Sequence, residues 1–183
     1  RGEKNNPEKD FPCRDVACDV STRPTKKKEG GRTMKVETIL VPTDFSELSN
    51  EAVEYAFSMA KRLGAKMVFL HTLQRPDQTD PMTPLYDEGY AYVKDHANGL
   101  LNDLVQKAKS QGQEAAAELV DGIPFVEIIR MARKKNADLI IMGTHGRTGM
   151  AHLMIGSQAE RVVRQSPCPV LTIKSPRHTF TPV

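Results

Sequence analysis

Ala137-Asp-Leu-Ile-Ile-Met-Gly-Thr-His-Gly-Arg-Thr-Gly-Met-Ala-His-Leu-Met-Ile-Gly-Ser157 decides how this chain is read. It opens on Leu139-Ile140-Ile141-Met142, an apolar run short enough for a strand buried on both faces of a parallel sheet. Gly143, Gly146, Gly149 and Gly156 follow, in a segment without an acidic residue. Backbone N–H groups there can approach an anion with neither Cβ atoms nor negative charge in the way. Ser157-Gln-Ala-Glu160 has the pattern of a capping box and is expected to open a helix through Val162 and Val163. A helix start presents unpaired N–H groups and about half a positive charge. Strand, glycine loop and helix start converge on one place, and together they have the chemistry of a phosphate cradle.

The same alternation extends in both directions. Upstream, Val36 to Val41 reads as the first strand, followed by Pro42-Thr43-Asp44 and a helix from about Ser46 to Leu63 that Gly64 closes. Lys66 to Leu73 reads as the second strand. Gln74 to about Pro84 carries three prolines and reads as a long loop. A helix is then expected from about Asp87 to Gln111, with Val93, Ala97, Leu100, Leu101, Leu104 and Ala108 along its buried side and Tyr86, Tyr90 and Tyr92 packing at its start. Glu114 to Val120 is less apolar and reads as a strand nearer an edge, and Asp121-Gly122-Ile123-Pro124 leads into a helix stopping at Asn136. Beyond the glycine loop come the helix from Ser157 to Gln165 and a fifth strand, Pro169 to Lys174. The expected fold class is therefore α/β: a three-layer, Rossmann-like open sheet of five parallel strands with helices on both faces.

A chain of 183 residues with this pattern reads as one folded domain. No apolar run approaches the ~18 residues of a membrane span and no signal segment is visible, so the expected location is the cytoplasm. Cys13, Cys18 and Cys168 have no zinc spacing and imply no disulfide framework. The formal charge of +3 sits in residues 1 to 33, which hold nine Lys or Arg and six Asp or Glu and leave 17 of each to the remainder. That tail is polar and aperiodic and is read as disordered, as is 175–183 at the other end. Lys26-Lys27-Lys28 is a lone basic triplet in the tail, so nucleic acid is not an expected partner. Lys27-Lys-Glu-Gly-Gly31 can be encoded by a purine-rich run resembling a ribosome-binding site, which suggests translated leader sequence before Met34. Intact mass from the natural host checks this, and a product retaining residues 1 to 33 refutes it.

The spacing Gly143-x2-Gly146-x9-Gly156-Ser157 resembles the nucleotide-binding signature of the universal stress protein family, specifically its ATP-binding branch. Val41-Pro-Thr-Asp-Phe-Ser46 looks like the end of that family's first strand, and Ser166-Pro-Cys-Pro-Val-Leu-Thr-Ile-Lys174 like its closing strand. The resemblance runs from Met34 to Lys174 and implies strand order 3-2-1-4-5, with the order reversing between the first and fourth strands. Pro42-Thr43-Asp44 would then face Gly143-Thr144-His145-Gly146 across one crevice. The implied ligand is ATP, with Mg2+ as a companion. Pro42, Thr43 and Thr72 match positions lining the family's adenine and ribose pocket, although Thr72 is polar where valine is common. Asp44 would accept ribose hydroxyls or hold Mg2+, with capping through Asp44-x-x-Glu47 as its structural alternative. Gly143, Gly146, Gly156 and Ser157 would form the phosphate shell, with Gln158 one position on, Arg147 reaching a terminal phosphate, and Met142 and His145 completing the set. His145 and His152 have no acidic orienter nearby in sequence, so no catalytic residue is assigned; His71 reads as a packed histidine. Neither a Walker lysine nor a Gly-x-Gly-x-x-Gly after the first strand is present.

Three functions compete. The first is a nucleotide-dependent regulatory or stress-response dimer, the second a slow magnesium-dependent ATPase, and the third a nucleotide-free dimeric interaction module. The dimer is expected through Val170, Leu171, Thr172 and Ile173, because an apolar edge strand is an association hazard unless paired and the family pairs it.

Overall fold

The structure is a computed structural model that describes residues 35–74, 83–144 and 156–174, the segment 83–88 by its backbone alone. The expected tails, and a start at Met34, lie outside the described residues.

Five strands, β1 (Thr38–Pro42), β2 (Lys66–Leu73), β3 (Ala115–Asp121), β4 (Leu139–Gly143) and β5 (Val170–Ile173), form one sheet in the order β3-β2-β1-β4-β5. Every neighbouring pair is parallel, with Leu40 of β1 beside Val68 on one side and Ile140 on the other. The helices are α1 (Glu47–Leu63), α2 (Thr83–Ser110), α3 (Pro124–Lys134) and α4 (Ser157–Gln165). The expected fold and strand order are observed.

Side chains two apart on a strand share a face, and this splits the core into two layers. Ile39, Val41, Met67, Phe69 and Ile141 pack with Ala52, Val53, Ala56 and Phe57 of α1 and Leu101 and Ala108 of α2. Leu40, Val68, Leu70, Ile140 and Met142 point the other way, onto Ile128, Met131 and Ala132 of α3 and Ala159 and Val162 of α4. Burial on both faces explains why β1 and β4 read as unbroken apolar runs. Truncating Leu40 or Ile140, each fully buried, to alanine would cost about 2–5 kcal/mol.

Local chemistry sets the helix limits, and four expectations are corrected. Helix α1 is capped by Ser46, whose Oγ accepts from Ser49 N at 3.3 Å, and not by Asp44. Phe45 adopts the left-handed conformation (φ 60°) and puts the cap two residues past Asp44. Helix α4 is capped by Gly156, with no side-chain capping bond, so Ser157 is already helical and the capping box is not formed. Helix α2 starts at Thr83 rather than Asp87, since a proline in the first turn is compatible with a helix. Val93 is 48% exposed, and the inward side of α2 is carried by Ala97, Leu101 and Ala108. Gly64 and Asn136 take the left-handed conformation just past α1 and α3, as helix stops do. Among the described residues no helix is long and apolar enough to cross a membrane.

Candidate functional site

In a parallel sheet every helix begins near the C-terminal edge of the preceding strand, so the ends of β1, β2 and β4 and the starts of α3 and α4 gather at one rim. There they enclose a cavity of about 380 Å3, within the range of small-molecule clefts. Pro42, Thr43, Asp44, Thr72, Met142, Gly143, Gly156, Ser157 and Gln158 all line it, so segments a hundred residues apart meet as expected. His145, Gly146 and Arg147 lie outside the described residues, as do Gly149 and His152.

The wall after β1 is a closed hydrogen-bonded bend. Thr43 N donates to Leu70 O at 2.9 Å, which ties the bend to β2. Ser49 Oγ donates to Ser46 O at 3.0 Å, so it must receive the Thr43 hydroxyl proton across 3.1 Å. Thr43 Oγ1 in turn accepts Phe45 N at 3.1 Å. Asp44 Oδ1 accepts both Ser46 N at 3.1 Å and Ser46 Oγ at 2.6 Å, orienting the cap of α1 and fixing the carboxylate at the rim.

The opposite wall is built by the end of β4 and the start of α4. Gly156 N donates to Thr144 O at 2.8 Å, and Thr144 N donates to Ile173 O at 3.0 Å, so Gly156 sits beside the end of β4. The Gly156 amide is therefore engaged within the protein, and the donors that open α4 lie one residue further on, at Ser157, Gln158 and Ala159. Gly156 has φ −57° and ψ 146°, a conformation any residue adopts. Gly156 lines the cavity without a side chain. The Gln158 side chain turns aside: its Oε1 accepts Phe125 N at 3.2 Å and holds the start of α3 against α4. Arg161 reinforces that contact from 4.9 Å above the Phe125 ring.

The cavity lining is mixed. Pro42, Leu70, Pro124, Ile128 and Met142 supply an apolar floor interrupted by Thr72, while Asp44, Thr144, Ser157 and the uncapped α4 start supply polar groups. Apolar side chains suit a flat ring, and the amides at the α4 start suit an anionic group. Among the described residues no cluster of three His, Cys, Asp or Glu could hold a metal; a Mg2+ ion carried on phosphates needs only one or two carboxylates.

Thr144 lines the cavity in the segment expected to face it, whereas sequence reading missed Ser49, Leu70, His71, Gln74, Pro124, Ile128 and Ala159. Leu70 and His71 carry a usable signal, since they lie near the end of β2, whereas Pro124 and Ile128 are placed only by the way α3 crosses the sheet.

The model of the universal stress protein family matches residues 35–174. Universal stress protein MJ0531 of Methanocaldococcus jannaschii is 35% identical over 144 residues, covering 76% of this chain and 82% of that protein. The solved structure of hypothetical protein MJ0577 superposes with a TM-score of 0.71 at 26% identity, covering 79% of this chain and 99% of that one. A universal stress protein solved in complex with cAMP gives a TM-score of 0.57 at 26% identity, over 80% of this chain and 99% of that chain. Sheet order, crevice and sequence agree, and the chain belongs to the universal stress protein family.

Proposed function

We propose that this protein binds ATP in the crevice between β1 and β4 and acts as a nucleotide-dependent regulatory dimer in a stress response. The observation that carries the reading is the start of α4, which has no side-chain cap and opens onto the same cavity as Asp44. Phosphates would take the amides of Ser157, Gln158 and Ala159 together with the Ser157 hydroxyl, where the helix field favours negative charge. Gly143 and Gly156 leave room for them, and Gly146, His145 and Arg147 are assigned to the same shell from the sequence. The base would lie on Pro42, Leu70, Ile128 and Met142 beside Thr72, and Asp44 would accept the ribose hydroxyls or bear on a phosphate-bound Mg2+. Support also comes from the relative solved with cAMP, an adenine nucleotide.

The dimer is proposed through β5, an edge strand whose four residues are all half-buried. The carbonyl of Pro169 accepts from Ile140 of β4 and that of Ile173 from Thr144, the residue after β4. By the strand's period of two, Val170 and Thr172 carry the outward N–H and C=O groups. Antiparallel pairing with a second copy would satisfy them.

Equilibrium dialysis of the full chain against labelled ATP tests the reading. Saturable uptake of one nucleotide per chain is expected, and linear uptake up to millimolar ATP refutes it. Timed phosphate release from the same samples separates a binder from a slow ATPase.

A further inference from the structure

His71 is 6% exposed and lines the cavity. Its Nδ1 lies 2.7 Å from the Thr43 carbonyl oxygen. A carbonyl only accepts, so Nδ1 carries the hydrogen and donates it. The imidazole also packs on the Phe45 ring, with centroids 4.6 Å apart and planes tilted by 41°. These two contacts grip the residues on either side of Asp44. Phe45 is the aromatic residue held at φ 60°, a conformation that a side chain of this size adopts only when its surroundings enforce it.

We propose that His71 is a positioning residue of the nucleotide site: its Nδ1–H and ring face hold the Thr43–Asp44–Phe45 bend in the strained form that presents the Asp44 carboxylate to the ribose hydroxyls. The inference rests on the nucleotide reading above and extends it to a residue outside the glycine loop. Removing the imidazole takes the donor from the carbonyl of Thr43, itself 6% exposed, and the wall from the Phe45 ring. The Thr43 N–H bond to Leu70 and the Ser46 cap of α1 do not involve His71 and persist. The strand and the helix cap therefore stay in place and Asp44 keeps its bonds to Ser46, while the bend loses its hold at Thr43 and Phe45 and relaxes, displacing the carboxylate from the ribose position.

The test compares ATP with 2′,3′-dideoxy-ATP, which shares base and phosphates and lacks the hydroxyls, by calorimetric titration of the full chain. The wild type is expected to prefer ATP by roughly tenfold, the worth of a charge-assisted hydrogen bond. His71→Leu and Asp44→Ala should each bring that ratio to about one by losing ATP affinity alone. His71→Asn, whose amide N–H falls near the place of Nδ1–H, should restore most of the preference. A general loosening of the fold would weaken both ligands together and leave the ratio unchanged, and that result overturns the proposal. So does a His71→Leu variant with unaltered affinities, or a wild type that binds both ligands equally. Failure of the wild type to bind either ligand refutes the nucleotide reading itself, and this inference with it.

Discussion

Thr43→Val removes one hydroxyl from the bend after β1 without changing its volume, so any loss of stability reports hydrogen bonds and not a cavity. The Thr43 side chain accepts Phe45 N at 3.1 Å and donates to Ser49 Oγ, also at 3.1 Å. Ser49 keeps its own bond to Ser46 O, so its hydroxyl loses an incoming proton only and the effect there is small. The Phe45 N–H loses its acceptor in a part-buried setting, for which about 1–3 kcal/mol is the usual cost. The left-handed Phe45 then has one restraint fewer. A net loss of about 2 kcal/mol follows, equivalent to a fall of roughly 5–8 °C in Tm for a domain of this size. Thr43→Ser keeps the hydroxyl and should lose less than half as much. Equilibrium urea unfolding, followed by circular dichroism and Tyr fluorescence, reads both, with m unchanged. If Thr43→Val matched the wild type to within ~0.5 kcal/mol, the bonded chain from Phe45 to Ser46 would carry no stability and the reasoning would fail.

Other perturbations address separate parts of the account. Gly64→Ala places a side chain at φ +64° with open space around the new Cβ; strain alone should cost about 1 kcal/mol, read as a lower urea midpoint. Asp138→Ala removes the carboxylate that accepts Glu37 N at 2.9 Å and Thr38 N at 3.0 Å; with Thr38 only 5% exposed, a loss of about 2–3 kcal/mol is expected in the same assay. Thr172→Pro deletes an outward N–H of β5 without touching its bonds to β4; light scattering should show monomers with native circular dichroism, and an unchanged dimer would place the interface elsewhere.

Much of this architecture is legible in the sequence because parallel strands buried on both faces leave little room for polar residues. Val68-Phe69-Leu70 and Leu139-Ile140-Ile141-Met142 announce themselves for that reason, and Gly64 marks a helix end because it needs a left-handed backbone. Cap positions were harder to read. Gly156 and Ser157 can both cap a helix, and the choice goes with the Gly156 N–H bond to Thr144 O, a contact between residues twelve apart that local sequence does not announce. Asp44 and Ser46 likewise compete for α1, and the left-handed turn at Phe45 between them decides it. An aromatic residue is an unusual occupant of that conformation, so no local rule points to it. The role of Gln158 was hidden because its partner, Phe125 N, belongs to another helix. His71 was hidden because packing and positioning look alike until Thr43 O is seen 2.7 Å from its ring.

The central claim is that the open start of α4 receives the phosphates while Asp44 faces the sugar across the same cavity. Amide chemical shifts recorded during an ATP titration of isotope-labelled protein test it most directly. Ser157, Gln158 and Ala159 should shift together and saturate with one binding constant, with Asp44 and Phe45 following the same curve. Binding that leaves those amides unmoved, or shifts confined to another face of the sheet, would contradict the account.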